Sequence, residues 1–169
     1  MDNIADTAPP AAAGYQIIEE LLQVAKLTRT YVDIALRVAH LHPGQDELIC
    51  VLTTEPTMTV SEIADLLHIR SSTVSKTTDR LAAKGLVERV PFESDHRKTA
   101  LVLTPAGVET QTFVREIWCG VEENLFGELS TSETEEIREG LELLDRRLRE
   151  RVAQFRRPLQ KSASVEEKP

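Results

Sequence analysis

The fold is decided by residues 59–104, which read TVSEIADLLHIRSSTVSKTTDRLAAKGLVERVPFESDHRKTALVLT. Thr59 to Glu62 has the pattern of a capping box, in which a threonine oxygen accepts from a first-turn amide and a glutamate reaches back. Gly85 predicts the left-handed end of a second helix. Two β-type runs then flank a polar loop, which indicates a hairpin. The order helix, turn, helix, hairpin predicts a winged helix-turn-helix.

The same stretch gives expectations for each boundary. His68 to Arg70 is the predicted turn, and Ser71 is the expected N-cap of the second helix. The strands are predicted at residues 86–90 and 99–103, with the tip of the hairpin at residues 93–98. The hairpin is therefore a wing with a short polar tip.

Long helices are predicted on both sides of this stretch. Apolar residues at three- and four-residue spacing predict a helix over 15–39, and a second helix is expected from Pro43 to about Thr54. Thr104-Pro105 should open a helix that reaches Leu125 or Phe126. The last helix should begin at Ser130–Ser132 and carry a near-heptad stripe, Ile137, Leu141, Leu144, Leu148, Val152 and Phe155. The predicted class is mostly α with a small β-wing.

These elements suggest a division of the chain into a winged helix-turn-helix and a helical dimerisation lobe. The Ala/Pro-rich start and the polar end are expected to be disordered. The predicted parts are a disordered N-terminus at 1–13, dimerisation and pocket helices at 14–55, the winged helix-turn-helix at 56–104, C-terminal dimerisation helices at 105–155 and a disordered tail at 156–169.

Composition limits the possible functions. The chain has 169 residues, 41% of them apolar and 28% charged, as is usual for a globular protein. It has neither an apolar run of ~20 residues nor the pattern of a signal peptide, so a cytoplasmic location is expected. Two cysteines make no disulfide framework, and neither a metal nor a cofactor is expected. No phosphate loop or nucleophile motif appears, so an enzyme is not expected.

Charge is distributed unevenly. The whole chain carries −8, whereas residues 70–98 hold seven basic and four acidic residues, a net +3. A local basic face suits a polyanion such as DNA, while the acidic remainder limits non-specific binding. Because so small an excess also arises by chance, the charge supports this interpretation only together with the predicted fold.

The second helix of the central stretch has a polar outer face. On a helical wheel Val74 and Leu81 point inward, while hydroxyls and cations lie opposite. Such side chains suit a DNA groove, although most polar helix faces are merely solvated. In the wing, Asp95 could orient the Arg97 guanidinium toward a minor groove, or the two could form an ordinary surface ion pair. The candidate DNA-binding residues are Ser71, Ser72, Thr73, Ser75, Lys76, Arg80, Asp95, Arg97 and Lys98.

Several motifs resemble those of the MarR family of winged-helix regulators, and the likeness covers roughly residues 15–155. They are Pro43-Gly44-Gln45, residues 59–64, 72–76, 79–81 and 84–89, Asp95-His96-Arg97 and Leu103-Thr104-Pro105-Ala106-Gly107. The resemblance implies a homodimeric DNA-binding repressor or activator, with a dimer built from the first and last two helices. It also implies a response to a small, often aromatic, ligand. A dimer is expected on other grounds too, because one helix-turn-helix makes few base contacts and two copies read half-sites about 34 Å apart.

The sensing mode stays open at this stage. Arg37, His40, His42 and Gln45 lie near the bend between the first two helices, where they could contact an organic anion or a phenol, or could serve only as caps and solvated residues. Cys50 lies in an apolar run and Cys119 follows Trp118, so both are expected to be inert thiols rather than redox sensors. Metal sensing is disfavoured because His40 and His42 lack obvious partner ligands.

A protein-docking module is the competing interpretation, since winged-helix folds also bind proteins. The two functions differ in a measurable way. DNA binding weakens steeply with salt, with a log–log slope near −0.9 per neutralised phosphate. A docking module would not retard a DNA fragment.

Overall fold

The computed structural model describes residues 15–92 and 95–156. The elements in this part are α1 (Gln16–Ala35), a 3-10 turn (Leu36–Ala39), α2 (Gln45–Val51), α3 (Val60–Leu66), α4 (Ser71–Ala83), β1 (Val87–Phe92), β2 (Asp95–Leu103), α5 (Pro105–Phe126) and α6 (Thr131–Arg156). They confirm the predicted class, mostly α with a two-stranded wing. The chain divides into two compact units, one ending at Asn124 and the other starting at Leu125.

The predicted disordered ends fall outside the described residues, except for Arg156, which is the last residue of α6. The domain boundaries expected at residues 55 and 104 stay predictions. In the first unit the buried core is formed by residues of α2, α3, α4, both strands and α5, together with the 3-10 turn; it includes Leu36, Leu48, Ile49, Ile63, Val74, Leu81, Val87, Leu101 and Val114.

The first two helices are shorter than predicted. α1 gives way to the 3-10 turn at Leu36, and His40 then adopts a left-handed conformation with φ 53°. Gly44 is also left-handed, with φ 81°, so α2 begins at Gln45 rather than at Pro43. α2 ends at Val51 rather than near Thr54, because Leu52 is extended. Of these local reversals, only the one at Gly44 has a signal in the sequence, the glycine itself.

The capping box at the start of α3 is confirmed. The Thr59 amide donates to Glu62 Oε2 at 2.8 Å, and the Glu62 amide donates to Thr59 Oγ1 at 3.4 Å. Ile63 and Ala64 are buried, as their spacing predicts. Leu66, expected to point inward, is instead 49% exposed, because α3 has only two turns and its buried stripe is narrow.

α4 begins one residue earlier than predicted. Its N-cap is Arg70, and Ser71 is the first helical residue and makes no capping bond. His68 has φ 54° and turns the chain early, so that the Arg70 carbonyl already accepts from the Thr73 and Val74 amides. The C-terminal end of α4 is as predicted, with a left-handed glycine after the last helical turn. Gly85 has φ 72°, and the Leu86 amide donates to the Leu81 carbonyl at 3.0 Å, which completes a Schellman motif.

The wing is longer than predicted. β1 pairs with β2 in antiparallel register from Val87↔Leu103 to Pro91↔Thr99, with an irregularity between Pro91 and Phe92. The strand predicted at residues 86–90 continues through Pro91, because both strands of a two-stranded sheet are edges, where proline is tolerated. Residues 95–98 therefore lie in β2 rather than in the tip, and residues 93 and 94 lie outside the described part.

α5 is anchored to the wing and to α2. The Thr104 hydroxyl accepts from the Gly107 amide at 3.0 Å, which confirms the predicted cap. Gly107 lies so close to the chain at Leu86 that a Cβ there would be 2.0 Å from the Leu86 carbonyl oxygen. Further along, Gln111 Nε2 donates to the Ile49 and Leu52 carbonyls at 2.7 and 2.9 Å. These bonds supplement the C-terminal end of α2, where the Ile49 carbonyl otherwise accepts only a long bond of 3.3 Å from the Leu52 amide among the backbone bonds at the cap.

In the second unit, α6 begins as predicted. The Ser130 amide donates to Glu133 Oε2 at 2.9 Å, and the Glu133 amide donates to Ser130 Oγ at 3.3 Å, a second capping box. The near-heptad stripe is largely exposed within this unit: Ile137, Leu141, Leu148 and Val152 are each more than a third accessible. An apolar stripe this long is typical of a helix that packs on another helix.

Candidate nucleic-acid interface

The outer face of α4 is exposed as the helical wheel predicts. Val74, Thr78 and Leu81 are buried, and the Thr78 hydroxyl donates to the Val74 carbonyl at 2.8 Å. The opposite side is accessible, apart from Ser75, which is half-buried; it carries Ser71, Ser72, Thr73, Ser75, Lys76, Asp79 and Arg80. α4 therefore presents a row of hydroxyls, two cations and one carboxylate to the exterior.

Arg89 of β1 joins the wing to this face, and sequence reasoning missed it. Its Nη2 lies 2.8 Å from Asp79 Oδ1 and donates to the Ser75 carbonyl at 3.3 Å. Ser75 and Asp79 are one helical turn apart on α4, so a single guanidinium contacts two successive turns. The signal in the sequence was the alternation of strand residues. Because residues two apart lie on the same face of a strand, Arg89 shares a face with the buried Val87. The partner on α4 could not be read from spacing.

A cleft of about 470 Å³ lies between the start of α3, α4 and the wing. It brings together Ser75 and Lys98, which the sequence singled out, with residues that it did not: Ser61, Glu62, Arg89 and Thr99. Two cations and four hydroxyls, counting that of Thr59, thus share one opening. The pKa of Glu62 is lowered, mainly by the Thr59 amide and then by its hydroxyl, with a smaller contribution from Lys98. Its carboxylate therefore remains charged and committed to the capping box.

The predicted wing residues lie at the start of β2. Arg97 and Lys98 are exposed. Asp95 begins the strand, but its side chain lies outside the described part of the structure, so the proposed orientation of Arg97 by Asp95 stays a prediction. Since Phe92 pairs with Asp95, these cations lie within a few residues of the turn of the hairpin.

A second cleft, of about 380 Å³, lies at the bend after α1. It is lined by Asp33, Leu41 and three of the four ligand candidates, Arg37, His40 and His42. The fourth candidate, Gln45, is 1% exposed and does not line it. Gln45 Oε1 instead accepts from the His42 amide at 3.0 Å and from Lys84 Nζ at 3.3 Å. Gln45 thus holds the backbone of this bend.

Next to Gln45 is a fully buried acid, Asp46, that sequence reasoning also missed. Its Oδ1 accepts from the Gly44 amide at 3.0 Å, and its Oδ2 lies 3.4 Å from Arg29 Nη1. Burial raises the pKa of Asp46 above its ordinary value of 3.8, and the Arg29 charge opposes this only in part. Arg29 also contacts Glu47 and so ties α1 to α2.

Asp46 leads to a prediction about pH. Because folding raises its pKa, the folded state retains a proton that the unfolded state releases. The retained proton contributes stability that is fully present below pH 3.8. That contribution is lost as the pH rises through the pKa of Asp46 in the folded state. Asn mimics the protonated acid, so Asp46→Asn should gain stability relative to wild type as the pH rises above about 4. Urea unfolding at pH 4 to 7 measures this. Glu122→Gln on the exposed side of α5 is the control, and the same trend in both variants would contradict the prediction.

The two cysteines differ in environment. Burial raises the pKa of the Cys50 thiol, outweighing the Arg115 charge that lowers it, so the neutral thiol is favoured. Such a thiol is a poor nucleophile. Cys119 on α5 is exposed.

Within residues 15–92 and 95–156, no three His, Cys, Asp or Glu side chains are grouped as metal ligands. In the same part, no helix combines the length and the apolar character that crossing a membrane requires.

A family comparison matches the central part of this arrangement of elements. The sequence model of the MarR family matches residues 41–99, a segment that contains α2, α3, α4 and most of the wing. This part of the chain is thus similar to the MarR family. Both clefts and the outer face of α4 have their main residues within or next to the matched segment. No curated protein matches the chain.

Solved structures of MarR-type regulators have the same fold. FabT of Streptococcus pneumoniae in complex with DNA is 25% identical, with a TM-score of 0.69 over 81% of this chain and 99% of FabT. MepR of S. aureus in complex with DNA is 21% identical, with a TM-score of 0.69 over 78% of this chain and 97% of MepR. CouR of Rhodococcus jostii RHA1, bound to p-coumaroyl-CoA, is 20% identical, with a TM-score of 0.65 over 76% of this chain and 91% of CouR.

Proposed function

We propose that this protein is a MarR-family, sequence-specific DNA-binding transcriptional regulator, a ligand-responsive repressor that binds a pseudo-palindromic operator as a homodimer. The observation that carries the proposal is the exposed hydroxyl-and-cation face of α4 next to a cleft that holds Arg89 and Lys98. FabT and MepR, which share the fold, are both seen in complexes with DNA.

α4 is the element that enters the major groove. Lys76 and Arg80 are cations able to donate to guanine O6 and N7, and the Ser72 and Thr73 hydroxyls can bond either bases or phosphates. Ser71 and Ser75 lie at the margins of this face. In the wing, Arg97 and Lys98 reach the adjacent backbone or minor groove, with Asp95 orienting the Arg97 guanidinium. These are the residues that we propose contact DNA.

The cleft between α3, α4 and the wing suits a backbone phosphate. Arg89 and Lys98 supply positive charge there, and the hydroxyls of Ser61 and Thr99 supply further donors. Asp79 holds only one side of the Arg89 guanidinium, which has five N–H donors in all. An Arg that is already oriented loses less conformational entropy when it binds a phosphate. Arg89 therefore joins the proposed contacts.

The dimer is proposed from the terminal helices. Several apolar residues of α1 are strongly exposed within the first unit: Ile17 is 75% accessible, Leu22 64% and Val24 58%. α6 carries its own exposed stripe within the second unit. Surfaces of this kind are usually covered by another helix, and a second copy of the chain would also supply the second half-site reader.

The second cleft is proposed as the effector site. Arg37, His40 and His42 line it, so an organic anion or a small aromatic acid fits its chemistry better than a cation. CouR, of the same fold, is seen bound to p-coumaroyl-CoA. We propose that Gln45 does not contact the effector but holds the backbone of residues that line the cleft. In the first cleft the Thr59 hydroxyl donates to Glu62 Oε2 at 2.7 Å as part of the capping box, so this pair has a structural use. We propose no enzymatic activity, and we propose a cytoplasmic location, where the DNA lies.

Removing the wing cation tests this function. Arg97→Ala should weaken binding about tenfold at most duplex sites without unfolding the protein, since the side chain is exposed. Its salt slope should fall by about 0.9 if Arg97 neutralises one phosphate. The measurement is fluorescence anisotropy with a labelled duplex at several salt concentrations, and Arg147→Ala on α6 is the control.

The same titration separates the competing functions. Arg89→Ala should lower the slope in the same way, and Arg80→Ala or Lys76→Ala should alter preference among operator variants as well. A wild-type protein that binds no duplex at low salt would favour the docking module. Equal affinities for wild type and Arg97→Ala would show that Arg97 of the wing does not contribute to DNA binding.

A further inference from the structure

Lys84 connects α4 to the bend after α1. It is the C-cap residue of α4. Its Nζ donates to the His40 carbonyl at 2.6 Å and to Gln45 Oε1 at 3.3 Å, across sequence separations of 44 and 39 residues. One ammonium group thus joins the end of the proposed recognition helix to both ends of the segment 40–45. Few other polar side-chain bonds in the described first unit span so much of the chain.

The receiving segment is held in a fixed conformation. His40 is left-handed and ends the 3-10 turn, which leaves carbonyls at this end without helical partners. Gln45 is buried, and its Oε1 accepts from both Lys84 and the His42 amide. Gln45 Nε2 is also buried and has no hydrogen-bond partner within the described residues. The Gln45 amide group is therefore held through its oxygen alone, by the His42 amide and by Lys84 together.

The same segment forms a wall of the second cleft, which His40 and His42 line. The carbonyl that accepts from Lys84 therefore belongs to a residue that faces the proposed effector site. At its other end, Lys84 lies one helical turn after Arg80 and two turns after Lys76. Lys84 thus stands between the DNA-reading face and the cleft.

Small rotations of α4 matter for DNA binding. Its 13 residues make a rod about 20 Å long, so a tilt of about 5° around its C-terminal end moves its N-terminal end by about 1.7 Å. Binding sites need their groups placed to within about 0.5 Å. A contact that fixes the C-terminal end of α4 therefore affects side chains that it does not touch, including those of Ser72 and Thr73.

We propose that Lys84 is a positioning residue that couples the orientation of α4 to the conformation of the segment 40–45. The inference rests on the proposed DNA-binding function and adds how the second cleft communicates with it. An occupant of the cleft that rotates the His40 peptide takes the carbonyl away from Lys84 and frees the end of α4. By reciprocity, DNA that fixes α4 also orders the segment 40–45.

The test replaces Lys84 by Met, which keeps the length of the side chain and removes the donor. Lys84→Met should weaken operator binding about threefold to tenfold with an unchanged salt slope, because Lys84 acts through α4 and not through a phosphate. Lys84→Arg should restore most of the affinity. Lys76→Met is the matched control, and it should lower the slope. A slope that falls by about 0.9 in Lys84→Met would overturn the proposal by making Lys84 a phosphate contact.

Amide hydrogen exchange provides the second readout. In wild type, operator binding should slow exchange of the amides in the segment 40–45, and in Lys84→Met this protection should be lost. In the free protein, exchange of the same amides should be faster in Lys84→Met than in wild type. Unchanged exchange in the free variant would overturn the link even if DNA binds normally. If exchange is faster in Lys84→Met but neither protein binds a duplex, the link between Lys84 and the segment 40–45 is supported and the DNA-binding function is refuted.

Discussion

Gly107→Ala should destabilise the first unit by about 3 kcal/mol or more, one of the two largest effects expected here. A Cβ at this position would lie 2.0 Å from the Leu86 carbonyl oxygen and 3.1 Å from a Leu103 methyl carbon. The first of these is a backbone atom next to the Schellman motif of α4, so it cannot rotate away as a side chain would. Relief of the clash requires α5 to separate from the start of the wing.

Gly120 supplies the matched control for this prediction. It lies in the same helix, and a Cβ there would meet nothing within 4 Å. Gly120→Ala should therefore stabilise the protein by about 0.5–1 kcal/mol, because alanine is the better helix former. Urea unfolding followed by circular dichroism measures both variants. Equal stabilities for the two would show that α5 does not pack against Leu86 as described.

Val74→Asp should prevent the winged helix-turn-helix from folding. Val74 is completely buried between α4 and the rest of the core. An unpaired carboxylate there costs several kcal/mol, which is comparable with the whole stability of a small domain. The measurement is the cooperative unfolding transition, which should be lost. Val74→Ala, which only leaves a cavity, should keep a transition reduced by about 2 kcal/mol.

The neighbouring residue separates folding from function. Thr73 is exposed on the proposed DNA face, so Thr73→Asp should fold with nearly wild-type stability. It should nevertheless lose most of its affinity for DNA, because the new charge faces the phosphates. A folded Val74→Asp, or a Thr73→Asp that binds duplex normally, would mean that the two faces of α4 have been assigned the wrong way round.

The local signals in the sequence were reliable where one short pattern determines the structure. The capping box at Thr59 and Glu62 involves residues three apart, and Gly85 ends α4 because glycine tolerates a left-handed backbone. The inward and outward faces of α4 followed from helical periodicity alone. The start of α4 was misplaced by one residue because both Arg70 and Ser71 can precede a helix and only the turn at His68 decides between them.

The features that the sequence missed depend on contacts between distant residues. The bond from Lys84 to His40 and the ion pair of Arg89 with Asp79 join different elements, and no spacing predicts them. Asp46 was overlooked because a carboxylate in a short amphipathic helix is normally exposed, whereas here Gly44 and Arg29 give it partners. Three of the four predicted ligand residues line one cleft at the bend, whereas Gln45 lies behind it because its side chain turns into the core; ligand binding there stays a prediction.

Two copies of the chain should read successive turns of one duplex. The most direct measurement is selection from a pool of random duplexes by the purified full-length protein at low salt, followed by sequencing. We expect enrichment of a two-fold symmetric site whose half-sites lie about one helical turn apart, and loss of that enrichment in Lys76→Ala and Arg80→Ala. A pool that stays random after selection with the wild-type protein would contradict the account.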